Sequence, residues 1–192
     1  MPHNVALFDM DGTLCDLQGA MLRDLKKLAG PKEKSVQDVH DKRLPQYVKN
    51  RINMIKQSHS WWEQLEELKL GFDILRAARQ AGYEIHILTK GPSTSLNAYT
   101  EKVKWVKAHI PDAKITITDN KGMVYGKILV EDHPVFIQHW LKYRVRGLVI
   151  MPKNKINRFF KHPQVIVYDG KNLAQVKRAL HLRLKVPEID VM

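Results

Sequence analysis

Short apolar runs recur along the chain and alternate with longer segments in which apolar residues return at helical spacing. The short runs predict buried parallel strands, and the periodic segments predict helices that cover both faces of a sheet. The strands are predicted at residues 5–8, 83–88, 113–118, 127–130, 147–151 and 164–167. The helices are predicted at residues 68–80, 95–109, 135–142 and 172–182. The pattern therefore favours an α/β fold with a mainly parallel sheet flanked by helices.

The segment of residues 16–67 interrupts this alternation, because it is long, polar and highly charged and contains no convincing strand. Within it, helices are predicted at residues 25–28, 47–54 and 60–68. An insertion directly after the first strand lies above the carboxyl ends of the strands, where open α/β sheets bind ligands. We therefore predict a core domain of residues 1–15 and 68–192 and a small helical cap of residues 16–67.

The first predicted strand ends in a group of polar residues. Asp9 and Asp11 follow the apolar run, and Gly12 and Thr13 come directly after them. In an extended chain both aspartates project to the same side, so their like charges call for a cation or a shared proton between them. The alternative is simple turn chemistry, in which Asp and Gly are common. Two aspartates in phase after a buried strand favour a chemical site.

The chain is strongly basic, with a net charge of +12. This balance favours anionic ligands such as nucleotides, polynucleotides or other phosphorylated compounds, but it does not choose among them. The densest basic stretch, residues 153–161, interleaves cations with aromatic residues, which is a pattern found in proteins that bind single-stranded nucleic acid. The alternative is a solvated surface segment with Phe159 and Phe160 turned inward.

Cysteine content and hydropathy bear on the cellular compartment. The single cysteine, Cys15, excludes an internal disulfide and fits a reducing cytoplasm, so a cytoplasmic location is expected. No apolar run reaches the length of a membrane span, and the early first strand leaves no room for a signal peptide. Because Cys15 follows an apolar residue and has no evident histidine partner, we expect a packed thiol and not a nucleophile.

The segment Asp9 to Thr13, Asp-Met-Asp-Gly-Thr, resembles motif I of the haloacid dehalogenase (HAD) superfamily. The resemblance implies a Rossmann-like HAD fold, an aspartyl nucleophile at Asp9 and a general acid/base at Asp11. It also implies Mg²⁺ beside them as the cofactor. An aspartate in the second position is the pattern of the phosphotransferase members. Covalent catalysis through an aspartyl phosphate would divide phosphate-ester hydrolysis into two easier steps.

Further residues match the later HAD motifs. Thr89 stands where motif II places a hydroxyl that donates to the transferring phosphoryl group, and Lys90 either adds charge there or faces solvent. A motif III lysine is expected from the following helix, with Lys102 favoured and Lys104 as the alternative. By resemblance Lys121 lies near the phosphate, and an ordinary loop lysine is the alternative.

Glu131 and Asp132 end another buried strand and resemble motif IV. The resemblance implies that Asp9, the backbone carbonyl of Asp11 and Asp132 bind Mg²⁺, with Glu131 as an outer or water-mediated ligand. Alternatively, Asp132 caps the helix that starts near Pro134. The two roles are compatible.

Within the superfamily the chain is most similar to the 5'(3')-deoxyribonucleotidases. The similarity is carried by residues 9–19, 61–65, 101–106, 117–121 and 129–134. Two positions depart from the family pattern, since Leu17 replaces an aromatic residue that stacks on the nucleobase and Asp119 replaces a common arginine. Base recognition is therefore open, and Trp62 or Trp61 could supply another stacking surface, with the second of the pair packed into the cap.

These features together predict a Mg²⁺-dependent phosphomonoester hydrolase, a 5'(3')-nucleotidase that acts on (deoxy)nucleoside monophosphates. The alternatives are a polynucleotide 3'-phosphatase, which the positive charge would suit, and a non-catalytic nucleic-acid-binding protein on a HAD scaffold. The expected partner is a small phosphorylated substrate. Nucleic acid and a second copy of the chain, in a homodimer, are left open as further partners.

Overall fold

A computed structural model of the protein describes residues 4–92 and 94–186. Six strands form one sheet in the order β3-β2-β1-β4-β5-β6, and all neighbouring strands are parallel. The strands are β1 (Val5–Phe8), β2 (Glu84–Thr89), β3 (Lys114–Ile117), β4 (Ile128–Val130), β5 (Leu148–Pro152) and β6 (Val165–Tyr168). The helices are α1 (Leu17–Lys27), α2 (Gln46–Gln57), α3 (Lys69–Ala81), α4 (Asn97–His109), α5 (Pro134–Lys142) and α6 (Leu173–Leu184), with a short 3₁₀ helix at Lys121–Met123. The predicted α/β architecture and its six strands are confirmed.

The strand order reverses direction between β1 and β4, which lie side by side at the centre of the sheet. In open parallel sheets the crevice at such a reversal, outside the carboxyl ends of the strands, is the usual ligand site. Asp9 and Glu131 are the residues that directly follow these two strands. The topology therefore brings together polar residues that lie far apart along the chain.

Apolar side chains cover both faces of the sheet, as expected for buried parallel strands. Ala6 and Phe8 of β1 belong to the cluster that packs against α3, α4 and α6. Leu7, between them, points to the opposite face and packs with Ile137 and Trp140 of α5. The alternation along β1 fixes the strand in the sheet and so fixes the position of the polar residues after it.

Residues 16–67 have an apolar cluster of their own. Helices α1 and α2 pack together through Met21, Leu25, Val48, Ile52 and Ile55. The segments by which the chain enters and leaves this region lie side by side: the backbone N–H of Asp16 donates to the Glu66 carbonyl at 2.8 Å, and that of Leu68 donates to the Leu14 carbonyl at 2.8 Å. This arrangement supports, as a proposal, the division into a core and a cap.

Two helices in residues 16–67 differ from the prediction. The helix predicted for residues 60–68 is wrong, because residues 59–64 form turns and Ser60 has a positive φ of 59°. The carboxylate of Glu101 on α4 stabilises this turn by accepting backbone hydrogen bonds from Ser60 at 2.8 Å and from Trp62 at 3.1 Å. The helix predicted at 25–28 begins at Leu17 instead, because the side chain of Asp16 caps its first turn.

The structure also bears on the cysteine, on the basic segment and on membrane-spanning helices. Cys15 is fully buried, and burial raises the pKa of its thiol, which agrees with a packed side chain. In the basic segment, Phe160 packs against the core, but Phe159 is 80% exposed under the guanidinium of Arg158, so only one of the two phenylalanines turns inward. Among the described residues, no helix is long and apolar enough to cross a membrane.

Candidate active site

The loop after β1 holds the two aspartates in a tight turn. Asp9 is 4% exposed, and its backbone N–H donates to the Val130 carbonyl of β4 at 2.9 Å. Gly12 has a φ of +80°, and a Cβ atom built on it would lie 2.6 Å from a carboxylate oxygen of Asp132. Glycine is therefore required at this position both by the backbone conformation and by the close approach of Asp132.

Three buried carboxylates converge at this crevice. Oxygen atoms of Asp9, Glu131 and Asp132 lie within 4.8 Å of one another. Burial raises the pKa of Asp9, although the ammonium of Lys121 opposes this effect. Burial and the charge of Asp9 raise the pKa of Glu131 well above its usual value, and the same two causes raise the pKa of Asp132 to about 7. The cluster therefore carries more negative charge than its surroundings readily stabilise.

The side chain of Asp132 does not cap the following helix. Helix α5 begins at Pro134, its N-cap residue is His133, and no side chain accepts a capping hydrogen bond there. The Asp132 oxygens accept hydrogen bonds from the Thr13 hydroxyl at 3.2 Å and from the Asn154 amide at 2.7 Å. The capping alternative is therefore wrong, and Asp132 points into the crevice between β1 and β4.

Lys121 lies between two of the carboxylates. Its side chain is 1% exposed, and its Nζ atom lies 2.5 Å from Asp9 Oδ1 and 2.6 Å from Glu131 Oε2. The ring of Phe136 lies 4.6 Å from the same ammonium. Although burial alone would lower it, the two acids raise the pKa of Lys121 above its ordinary value, so the group stays charged. The alternative of an ordinary loop lysine does not fit this burial.

Lys102 occupies the other side of the crevice. Its buried ammonium donates to the Asp11 carboxylate, to the Thr89 hydroxyl at 3.1 Å and to the Lys90 carbonyl at 2.8 Å. Lys102, the favoured motif III lysine, thus contacts Asp11 and Thr89, whereas the lysine that contacts Asp9 is Lys121 of the 3₁₀ helix. Lys104 faces outward and pairs with Glu63 at 2.8 Å.

The ammonium of Lys90 is half exposed and lies 3.5 Å from Asp119, the residue that replaces the family's common arginine. Lys90 nevertheless lines the cavity above the carboxylates. Lys90 thus both pairs with Asp119 and borders the cavity, so neither of its two predicted roles is excluded.

Charge counting tests whether the site suits a metal ion. The crevice brings together the carboxylates of Asp9, Asp11, Glu131 and Asp132, whereas among the described residues only Lys102 and Lys121 form ion pairs with them. With two ammonium groups for four carboxyl groups, ionisation of all four leaves an excess of negative charge that one divalent cation would balance. Carboxylate oxygens are the ligands that hard divalent cations prefer. The residues present therefore fit such an ion.

A cavity of about 790 Å³ opens above these groups, between the carboxyl ends of the strands and helices α1 and α2. A volume of this order is sufficient for a nucleotide-sized ligand. Leu17 and Trp62 both line the cavity, although they are only 5% and 2% exposed. The Trp62 ring already lies 4.7 Å from the Lys102 ammonium and meets Trp61 edge-on, so it forms part of the wall and offers little free surface.

Asn154 and Asn157 lie at the site, but no sequence motif predicts them. Besides the contact of Asn154 with Asp132, the buried amide of Asn157 donates to the backbone carbonyl of Asp132 at 2.9 Å and to that of Pro152 at 2.8 Å. The signal that could have found them is their spacing of three residues directly after strand β5, at the same edge of the sheet as Asp9. Together they hold Asp132 in place.

Solved structures of HAD-type hydrolases share this fold. A haloacid dehalogenase-like hydrolase from Burkholderia xenovorans LB400 matches with a TM-score of 0.53 and 13% identity, covering 96% of this chain and 100% of that one. A HAD family hydrolase from Deinococcus radiodurans R1, solved with bound phosphate and sodium, matches with a TM-score of 0.52 and 14% identity, covering 95% and 96% of the two chains. At such identities the likeness establishes the fold alone.

Sequence comparison gives the family. No match is found among curated proteins. The model of the family described as 5' nucleotidase, deoxy (pyrimidine), cytosolic type C protein (NT5C) matches residues 3–176, which include every strand of the sheet and both aspartates of the first loop. The chain therefore belongs to this family of 5' nucleotidases, so it is a phosphatase, and it has the fold of the HAD-type hydrolases.

Proposed function

We propose that the protein hydrolyses (deoxy)nucleoside monophosphates in a Mg²⁺-dependent reaction that passes through an aspartyl phosphate on Asp9. The observation that carries this proposal is the buried Asp9 carboxylate at the floor of the cavity, beside Lys121 and the other two acids. The family match supports a nucleotidase, and its description names deoxy and pyrimidine substrates and a cytosolic type. We extend these properties to the chain as part of the proposal, including the cytoplasmic location.

The metal ligands in this proposal are Asp9, Asp132 and the backbone carbonyl of Asp11, with Glu131 behind them. When bound, Mg²⁺ would neutralise charge on the phosphate and so reduce its repulsion of the incoming carboxylate. The supporting observations are the carboxylate cluster and its excess of negative charge. Thr13, Asn154 and Asn157 would keep Asp132 oriented.

The two aspartates of the first loop divide the chemistry. A carboxylate oxygen of Asp9 attacks phosphorus while the bond from phosphorus to the leaving oxygen breaks, and Asp11 donates a proton to that oxygen. Asp11 then takes a proton from water, which attacks the phosphorus of the aspartyl phosphate and releases inorganic phosphate. The contact of Asp11 with Lys102 supports this role, because an ammonium can hold the carboxyl group in a fixed orientation.

The phosphoryl oxygens would be held by donors that the fold already orients. Thr89 presents its hydroxyl at the carboxyl end of β2, and Lys102, Lys121 and Lys90 supply positive charge around it. Fixed donors stabilise the charge that develops in the transition state without first reorganising. The nucleoside would occupy the rest of the cavity, against Leu17 and the edge of Trp62.

A direct test is phosphate release from deoxy- and ribonucleoside 5'- and 3'-monophosphates, measured with Mg²⁺ and with a chelator. We expect turnover of at least one class of monophosphate with Mg²⁺ and almost none in the chelator. Equal rates under both conditions would contradict the metal requirement. No release from any nucleotide at all would contradict the nucleotidase.

A further inference from the structure

A lysine of the proposed cap faces the cavity without a partner. Lys56 and Asn53 lie three residues apart on one face of α2, and both line the cavity above Asp9 and Asp11. Lys56 is partly buried. Across residues 4–92 and 94–186, no ion pair or hydrogen bond joins its ammonium to another residue, and the same holds for the Asn53 amide.

Nearby lysines differ from Lys56 in this respect. Lys102 and Lys121 contact carboxylates in the crevice, and Lys104 pairs with Glu63 at the surface. An ammonium that is partly withdrawn from water without a counter-charge costs free energy, and burial accordingly lowers the pKa of Lys56. A bound anion would remove this cost. The helix dipole at the end of α2 favours a cation there, but it does not require one that points into the cavity.

Two hydrogen bonds fix the end of α2, which carries Lys56. The Trp62 indole donates to the Lys56 carbonyl at 3.0 Å, and the amide of Gln57 donates to the Thr94 carbonyl at 3.0 Å. The second contact ties the end of α2 to the loop that follows β2. The backbone from which the Lys56 side chain extends is therefore fixed beside the cavity.

The charges that act on Lys56 indicate which part of a substrate it meets. Lys56 and Asp11 line the same cavity, and the charged groups that act on the pKa of Lys56 are Asp11, which raises it, and Lys102, which lowers it. In the proposed reaction Asp11 protonates the leaving oxygen, so Lys56 lies on the leaving-group side of the phosphoryl group. The oxygens of the transferring group already have Thr89, Lys102 and Lys121 as donors. An additional cation on the leaving-group side would have no counter-charge if the leaving group were a neutral nucleoside.

We propose that Lys56 and Asn53 form a subsite for a second phosphate group, so that the preferred substrates are nucleotides that carry one phosphate besides the scissile one, such as nucleoside 3',5'-bisphosphates. This inference rests on the proposed nucleotidase function and names its substrate class. An oligonucleotide with a 3'-phosphate offers the same chemistry, because the phosphodiester beside its terminal phosphate is also anionic.

The test compares kcat/KM for deoxythymidine 3',5'-bisphosphate, for the two deoxythymidine monophosphates and for a 3'-phosphorylated dinucleotide. The enzymes are the wild type, Lys56→Gln, Lys56→Arg and a control, Lys49→Gln. Lys49 is on the same helix, donates to the Lys42 carbonyl at 2.8 Å and lies outside the cavity, so the control removes the same charge elsewhere.

In the wild type we expect a preference for the substrates that carry a second phosphate group, the bisphosphate or the dinucleotide, over the monophosphates. In Lys56→Gln that preference should fall by about tenfold to a hundredfold, the usual worth of a charge-assisted hydrogen bond, whereas Lys49→Gln should keep it and Lys56→Arg should keep most of it. The dinucleotide distinguishes a strand end from a free bisphosphate as the source of the second phosphate.

Two results would overturn the subsite. One is a wild type that turns over monophosphates at least as well as the bisphosphate and the dinucleotide. The other is a substrate preference that Lys56→Gln leaves intact while only the stability of the protein falls, which is what a purely structural lysine would give. Absence of turnover on every nucleotide would instead overturn the proposed function on which the subsite rests.

Discussion

The lysines of this protein differ in how deeply their side chains are buried and in which groups their ammonium ions contact. Lys102 and Lys104 are two positions apart on α4, so their side chains leave the helix in different directions. The first is fully buried against Asp11 and Thr89, and the second pairs with Glu63 where solvent screens the charges. The sequence alone offers both as candidates for the same role, and the packing of α4 separates them.

The pair gives a matched test of this difference. Lys102→Met should lower kcat/KM by about a hundredfold or more, because it removes a preorganised donor and leaves Asp11 without its cation. Lys104→Met removes the same charge from the same helix and should change kcat/KM less than about twofold. Steady-state kinetics on a deoxynucleoside monophosphate measures both. Comparable losses in the two variants would contradict the assignment of Lys102 to the site.

The raised pKa of Asp132 predicts how metal binding depends on pH. In the metal-free protein this carboxyl has a pKa of about 7, against an ordinary 3.8, so between these values the folded state binds more protons than the unfolded state. Protonation of Asp132 therefore stabilises the folded state at low pH, and this stabilisation is lost as the pH rises through 7. Mg²⁺ needs the ionised carboxylate, so protons compete with the metal below that pH.

We therefore expect the increase in Tm caused by Mg²⁺, relative to a chelator, to grow as the pH rises from about 5 to about 8. Thermal unfolding at fixed ionic strength measures this difference. In Asp132→Asn the increase should be small at every pH. A Mg²⁺ effect that is constant over the range, or that falls with rising pH, would contradict a metal site built on these carboxylates.

At the scale of elements, the turn of residues 59–64 links the proposed cap to the core. Glu101 is 3% exposed and accepts backbone hydrogen bonds from Ser60 and Trp62 of this turn. These bonds set Trp62 against Lys102 and against the end of α2. A single buried carboxylate on α4 thus fixes one wall of the cavity.

Glu101→Ala should lower the free energy of unfolding by about 2 kcal/mol or more, because it leaves the amides of Ser60 and Trp62 without acceptors. The control is Glu66→Ala, in which an exposed carboxylate beside Arg23 is lost and the change should stay within about 0.5 kcal/mol. Urea unfolding followed by tryptophan fluorescence measures both. Equal stabilities of the two variants would show that the turn does not depend on Glu101.

The predicted elements differ in how far local sequence determines them. Strands such as β1 and β4 are continuous apolar runs and can be read directly from the chain. The turn at Ser60 cannot, because the acceptor that stabilises it belongs to a helix far along the sequence. The positions of Asp9, Asp11 and Asp132 follow from the sequence because each comes just after an apolar run that forms a strand. Contacts made through tertiary packing become visible only in the structure.

Such tertiary contacts account for most of what sequence patterns miss at the site. Resemblance places Lys121 near the phosphate, but its own sequence context fits a loop lysine equally well, and its burial as an ion-pair partner of Asp9 is visible only in the fold. Asn154 belongs to the basic stretch of residues 153–161, yet its side-chain amide donates a hydrogen bond to the Asp132 carboxylate. In both cases the residue type is compatible with many environments, and its neighbours decide its role.

At the scale of the whole molecule, topology and charge favour the same type of ligand. The reversal of strand order places the acidic crevice at the centre of the sheet, and residues 16–67 contribute the opposite wall of the cavity, including Lys56. The net charge of +12 shows that cations outnumber acids over the protein as a whole, although acids outnumber cations in the crevice. A phosphorylated substrate is therefore attracted by the molecule as a whole and bound where a metal ion can balance the local acids.

The central claim is that Asp9 forms the covalent bond to phosphorus, and Asp9→Asn tests it most directly. The variant keeps the size of the side chain and removes its charge, and Asp112→Asn, at an exposed aspartate beside Arg79, serves as the control. The measurement is Mg²⁺-dependent phosphate release from deoxynucleoside monophosphates by the three proteins. We predict that Asp9→Asn falls below about a hundredth of the wild-type rate with the fold intact, while Asp112→Asn stays near wild type. A rate for Asp9→Asn above that level would contradict Asp9 as the nucleophile.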